Sequence, residues 1–230
     1  IGLRPISTLV DITNFFTYDT NRPLHVFDAD KLNGTSIRVH DALGGEKFSA
    51  LDDKEYVLSK GMTVISDSEG IESLAGIMGG SASGCTDTTE NVFIEAAYFN
   101  PIRTAYTGRE LKINSDARYR FERGIDPEWT AFGIEAATKM IIELCGGEPS
   151  NVVQAGEIPN HGRAYKVDTA RIESLVGMAI PPHKQLNILE NLGFVIKGDT
   201  ASVPSWRPDI QGEADLVEEI ARVVSLTKLQ

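Results

Sequence analysis

The sequence predicts an α+β fold: a mixed-sheet domain with helices over residues 1–157, then a small winged-helix-like α/β module over 164–230. Three observations carry this. After an opening helical pattern, short strand-like runs separated by glycine and asparagine turn signals fill the chain from Leu24 to Ala97, and helix-patterned segments follow. The run Ile158-Pro159-Asn160-His161-Gly162 reads as a linker. Beyond it, two helical segments precede a pair of short strands that make a wing, and an amphipathic helix closes the module.

Taken in order, residues 3–17 carry Ile6, Leu9, Val10, Phe15 and Phe16 on a helical pattern, which Asn21-Arg22-Pro23 breaks. Leu24–Asp28, Ser36–His40, Glu55–Leu58 and Thr63–Ser66 read as strands, with Asn33-Gly34, Gly44-Gly45 and Lys60-Gly61 as turns between them. Ser73–Gly80 is a strand running into a glycine-rich bend, and Asn91–Ala97 is a further strand. Pro101–Leu111 is helical with proline in its first turn, and Asn114–Gly124 is a polar segment. Asp126-Pro127 opens a helix that runs to Leu144 or Cys145 and stops at Gly146-Gly147, with Phe132, Ile134, Met140, Ile141 and Leu144 as its core face. In the second module Tyr165–Asp168 is a strand, and Ala170–Val176 and Pro182–Leu192 are helices. Phe194–Ile196 and Ala201–Val203 form the hairpin, and a helix starts at Glu213.

Composition narrows the function classes. Hydrophobic content of 41% and charged content of 24% are those of an ordinary globular chain. No apolar run approaches the roughly 20 residues of a membrane span, so no membrane partner is expected. Two cysteines make no disulfide framework, which fits a reducing cytoplasm. The opening Ile1-Gly2-Leu3-Arg4 has neither an initiator methionine nor an apolar leader, the look of an excised fragment. A net charge of −11 argues against the whole chain acting as a nucleic-acid clamp, because phosphate binding is driven by Lys and Arg.

No Walker loop, dinucleotide fingerprint or paired-cysteine zinc spacing is present. Gly76-Ile77-Met78-Gly79-Gly80 permits close backbone approach to a ligand, or is simply a bend in a strand. Glu95 sits in an apolar run, where alternation turns it to solvent unless it is buried for a purpose. His25, between Leu24 and Val26, is a satisfied structural residue or a catalytic one. From Glu213 onward Leu216, Val217, Ile220, Val223 and Val224 recur at helical spacing, and Asp215, Glu218 and Glu219 share the opposite face, with Asp209 able to fold back onto it. Such a patch suits a magnesium ion, a basic partner surface, or no more than the dipole at a helix start.

The run Pro204-Ser205-Trp206-Arg207-Pro208-Asp209, followed by Glu213-Ala214-Asp215-Leu216-Val217-Glu218-Glu219-Ile220-Ala221-Arg222, resembles a segment of bacterial phenylalanyl-tRNA synthetase β subunits. Leu9–Asn14, Pro23–Asp28, Gly76–Gly80, Asn91–Ala97 and Arg118–Pro127 are similar to the same family in the same order, so the resemblance covers essentially the whole chain. It implies magnesium ligands at Asp209, Asp215, Glu218 and Glu219, with the ion shared with a catalytic α subunit and not expected to bind without it. The family pattern is left after Arg222, where the chain reads Val223-Val224-Ser225-Leu226-Thr227. The resemblance further implies that residues 1–157 form an editing module hydrolysing tyrosine wrongly esterified to tRNA(Phe). Its pocket falls on Thr13, Asn14, His25, Gly79, Glu95, Ser115 and Ala117, with His25 and Glu95 as the catalytic pair and Ser115 where relatives often carry Thr. Partners would be the α subunit, in an α2β2 heterotetramer, and tRNA(Phe). ATP would be used only by the intact enzyme, so the chain alone is not expected to charge tRNA. A non-catalytic module docking the α subunit and tRNA is the competing reading, and a free-standing trans-editing hydrolase a third.

Overall fold

The computed structural model describes residues 2–224, so Ser225-Leu226-Thr227 of the stretch that departs from the family pattern lie outside the described residues. The chain divides into two compact units, Ile1–Ile158 and Pro159–Gln230.

In the first unit, α1 (Thr8–Asp19) begins later than the apolar pattern suggested, because the Ser7 hydroxyl caps it by accepting the Val10 N–H at 3.3 Å. β1 (Leu24–Asp28) pairs antiparallel with β8 (Val92–Ala96), in a register that sets His25 opposite Glu95 and Phe27 opposite Phe93. Leu24 and Ile94 pack with Ile12 and Phe16 of α1 and with Ala137 and Ile141 of α4 (Trp129–Cys145). Strand alternation therefore turns His25, Phe27, Phe93 and Glu95 to the other face.

A four-stranded sheet runs in the order β2 (Arg38–Asp41), β5 (Thr63–Ser66), β6 (Ile71–Leu74), β7 (Met78–Gly79). With the hairpin of β3 (Lys47–Ser49) and β4 (Glu55–Val57), it encloses Phe48, Leu58, Val64, Leu74 and Ile113. Strand β3 escaped the sequence pattern because Phe48 is its single buried residue. Every ladder among the described residues is antiparallel, which corrects the expected mixed sheet. Short turns reverse the chain between β3 and β4, β5 and β6, and β6 and β7, whereas parallel neighbours need crossovers of a dozen residues or more; β1–β8 and β2–β5 close over longer segments.

Helix α2 (Pro101–Glu110) is capped by Asn100, whose side chain accepts from the N–H groups of Ile102 and Arg103. The polar segment 114–124 contains a helix the sequence did not announce, α3 (Asp116–Phe121), capped by Ser115. Only Phe121 of its six residues is buried, so no apolar period marks it. On α4 the buried stripe is Gly133, Ala137 and Ile141, while Phe132 and Leu144 are 64% and 60% exposed. The expected core face is thus rotated, because α4 meets its neighbours through its small residues. Arg22, between α1 and β1, is buried: Nη1 donates to the Ala97 carbonyl at 3.0 Å and Nη2 to that of Asp126.

The second unit holds β9 (Ala164–Lys166), α5 (Arg171–Val176), α6 (Pro182–Asn191), β10 (Val195–Lys197), β11 (Thr200–Ser202) and α7 (Glu213–Val224). The expected hairpin gains β9 as a third strand, in the order β10-β11-β9. Ile172, Leu189, Phe194, Ala201, Ile210, Leu216 and Ile220 fill its core. On α7, Leu216, Val217 and Ile220 are buried as their spacing predicts, but Val223 is exposed and Glu219 is buried instead. Among the described residues no helix is long and apolar enough to cross a membrane.

Candidate active site

His25 and Glu95 occupy one rung of the β1–β8 ladder, so their Cβ atoms stand about 5 Å apart on the same face. No hydrogen bond or ion pair links their side chains, and neither side chain has a hydrogen-bond partner elsewhere among the described residues. Both keep some accessible surface, yet protein surrounds them closely. Burial pushes the Glu95 carboxyl up to about 7 and the His25 imidazole down to about 4. Near neutral pH the pair is therefore a half-ionised acid facing a neutral imidazole.

The imidazole is held by contacts rather than by charge. The Phe27 ring meets it edge-on at 4.3 Å between centroids. Gly79 packs against the ring as well: a methyl at position 79 would lie 2.7 Å from Nε2 and closer still to Cε1. Only glycine fits. The surrounding glycine run is a bend in the sheet, and its Ile77 and Gly80 amides donate to the Leu74 and Glu72 carbonyls. Position 79 thus serves the site by leaving room for a ring.

Ser115 donates its hydroxyl to the Ile77 carbonyl at 2.7 Å while capping α3, which ties that helix to the turn before Gly79. Ala117 packs on the cluster of Phe27, Ile65, Ala75, Phe99, Phe121 and Ile125. Thr13 donates to the Val10 carbonyl at 2.8 Å, and with Asn14 it lies one turn before Thr17 and Tyr18. There Arg120 of α3 donates to the Thr17 carbonyl at 2.9 Å and stacks 4.5 Å from the Tyr18 ring centroid. The structure thus brings His25, Glu95 and Gly79 into direct juxtaposition and fastens Ser115 and Ala117 beside them. It joins Thr13 and Asn14 to neither His25 nor Glu95 by a hydrogen bond.

Of the four acids of the second unit, Asp209 and Glu219 meet on one arginine. Arg207 donates to Asp209 at 2.8 Å and to Glu219 at 2.9 Å, and Arg222 reaches Glu219 at 2.6 Å. Asp215 accepts the Gln211 N–H at 2.7 Å, and Glu218 is exposed. Among the described residues no group of three or more His, Cys, Asp or Glu side chains gathers as a metal site would. Asp209 folds back toward α7 as the sequence suggested, and where the spacing predicts an ion two guanidinium groups take up the negative charge. The Arg207 guanidinium holds Asp209 below the usual carboxylate range. Burial raises Glu219, but Arg207 and Arg222 outweigh it and leave it low as well. Arg207→Gln is expected to lower stability by about 2 kcal/mol in urea melts, because a buried carboxylate loses one of two cations, and added magnesium should not restore it.

Two protein-family models match: one described as the B3/4 domain over residues 1–146, the other as the tRNA synthetase B5 domain over 165–225. The chain is 65% identical over 229 residues to the phenylalanine–tRNA ligase β subunit of Ruegeria pomeroyi, covering 100% of this chain and 29% of that protein. It is 62% identical over 230 residues to that of Cereibacter sphaeroides, covering 100% and 28%. The chain belongs to the phenylalanine–tRNA ligase β-subunit family. It spans less than a third of the length of these relatives. A solved N-terminal fragment of the phenylalanyl-tRNA synthetase β subunit from Pyrococcus horikoshii overlaps at a TM-score of 0.43 with 18% identity, covering 92% of this chain and 64% of that one, too loosely to add to the assignment. Within this β-subunit family match, the His25–Glu95 rung lies inside the B3/4 region and the Arg207 network inside the B5 region. Sequence reasoning passed over Phe27, Arg22 and the pairing role of Arg207. An arginine two residues before an aspartate was the available signal for the last, and nothing local marks the first two.

Proposed function

We propose that the first unit hydrolyses tyrosine wrongly esterified to tRNA(Phe), as the editing site of a ligase that joins phenylalanine to tRNA(Phe) with ATP. The observation that carries this is the His25–Glu95 rung: an unpartnered carboxyl and an unpartnered neutral imidazole side by side, with Gly79 making room. An apolar synthetic pocket rejects an added hydroxyl only about 100-fold, so a second sieve is useful. Here the tyrosine phenol donates to the Glu95 carboxylate, while phenylalanine leaves that carboxylate unpaired, at about 1–3 kcal/mol.

Water attacks the ester carbonyl carbon, the bond to the terminal ribose oxygen breaks, and that oxygen takes a proton, leaving free tyrosine and tRNA. With its pKa near 4, His25 is a poor base at neutral pH. Its role is to hold the attacking water by a hydrogen bond, and positioning of this kind is itself a large rate factor. The complete enzyme would add the α subunit in an α2β2 assembly, the ATP chemistry and the grip on tRNA(Phe), which a chain of net charge −11 is poorly suited to supply. Magnesium enters no step, since the acids expected to bind it are held by arginines.

The test compares tyrosyl-tRNA(Phe) and phenylalanyl-tRNA(Phe) hydrolysis by the intact ligase and its His25→Ala variant. Tyrosine release should fall by about 100-fold while charging with phenylalanine is unchanged. Wild-type release by the variant would overturn the proposal and leave the docking module as the better reading.

A further inference from the structure

We infer that Arg22 is a positioning residue that sets the His25–Glu95 rung and, through it, the selectivity of the site. This rests on the editing function proposed above. The β1–β8 ladder is a two-stranded sheet backed on one face by α1 and α4, so its end at Leu24 and Ala96 is fixed by contacts other than a third strand. Its working rung is the second from an open end, next to the Leu24–Ala96 pair. Arg22 lies two residues before β1, and its Nη1 donates at 3.0 Å to the carbonyl of Ala97, the residue just past β8. The side chain thus closes the end of the ladder where backbone pairing stops. Nη2 anchors the same group to the Asp126 carbonyl, ahead of α4.

The arrangement is a demanding one for a plain fastener. Arg22 is 1% exposed, its Nε has no hydrogen-bond partner among the described residues, and its two guanidinium arms donate to neutral carbonyls. Burial draws its pKa down to about 10, so it stays a cation at neutral pH. Gly133 makes its berth: a methyl there would stand 3.0 Å from Arg22 Cγ. The contact runs through the Ala97 carbonyl, two residues past Glu95, so Arg22 acts on the rung through the backbone that carries it.

Two variants of the intact ligase test this. In Arg22→Lys a single ammonium replaces the two-armed guanidinium. In Gly133→Ala the added methyl, 3.0 Å from Arg22 Cγ, shifts the arginine stem by a few tenths of an ångström, while alanine favours α4, so loss of the helix does not confound the result. Both should lower kcat for tyrosyl-tRNA(Phe) hydrolysis by about 10- to 100-fold, with KM within about twofold and phenylalanine charging unchanged. The tyrosine-over-phenylalanine ratio should fall with kcat, and the pH midpoint of that ratio should move below 7 as water enters the loosened end. Wild-type kcat, ratio and midpoint in both variants would overturn the inference. Should Arg22→Lys fail to fold, Gly133→Ala decides by the same readouts. Glu95→Gln run alongside separates the two failures: if it too leaves tyrosine release and selectivity unchanged, the editing function itself has failed; if it removes selectivity while the other two do not, only the role of Arg22 has.

Discussion

Glu95→Gln is expected to remove most of the discrimination between tyrosyl and phenylalanyl esters and, at pH 8, to make the fold more stable. The Glu95 carboxyl is held at about 7 in the folded chain against 4.5 for the ordinary group, so between those values the folded state binds more protons than the unfolded one. Its contribution to stability is therefore full below about pH 4.5 and falls as pH rises toward 7. At about 1.4 kcal/mol per unit, the ionised group destabilises the fold by about 3 kcal/mol above pH 7. The buried amide of Gln has its own desolvation, so the net gain is about 1–3 kcal/mol. His25 works in the opposite sense. Its pKa is lowered from 6.5 to about 4, so stability is lost as pH falls through that window. In the wild type the two slopes oppose each other between about pH 4.5 and 6.5, and Glu95→Gln should uncover the rising one. Urea melts at pH 5 and pH 8 check this: a variant less stable than wild type at pH 8 would contradict the burial assigned to Glu95. In hydrolysis by the intact ligase, the wild-type selectivity should rise from pH 6 to 8 as the carboxylate forms, and the variant should lose about 10- to 100-fold of it with no such pH dependence.

Gly79→Ala should abolish most tyrosine release while leaving the fold largely intact. Gly79 does not sit at positive φ, so its backbone accepts alanine. The obstruction is the methyl itself, 2.7 Å from His25 Nε2 and 3.0 Å from Leu51 Cδ1. The imidazole has to move, and a misplacement of the order of 1 Å is enough for a loss of about 100-fold. Overpacking should lower stability by about 1–3 kcal/mol. A double-mutant cycle isolates the cause, because Gly79→Ala should do little further harm to hydrolysis in a His25→Ala background. An equal loss in both backgrounds would mean that the glycine serves something other than the ring.

How much of this was legible beforehand differs from element to element. Leu24–Asp28 and Asn91–Ala97 announced themselves as strands through their β-branched and aromatic residues, and Glu213 onward as a helix through its apolar spacing. The six residues of α3 announced nothing, because a short helix with one buried side chain has no period to read. On α4 the large apolar residues suggested a core face, but the close approach of neighbouring elements put Gly133 and Ala137 inside and left Phe132 outside. The acidic motif shows the same limit: helical spacing put its carboxylates on one face, but it did not reveal that Arg207 would bind two of them.

By itself, the sequence determined the α+β character, the secondary structure of its strongly patterned segments, and which residue types were available for chemistry. The tertiary structure alone decided that β1 pairs with β8 in the register that sets His25 against Glu95, that Gly79 lies behind the imidazole, and that Arg22 closes the ladder. The reason is physical. Hydrophobic periodicity and capping act between residues a few positions apart, so they leave a local trace, whereas pairing, burial and the pKa shifts that follow come from segments distant in the chain that meet only in the folded core.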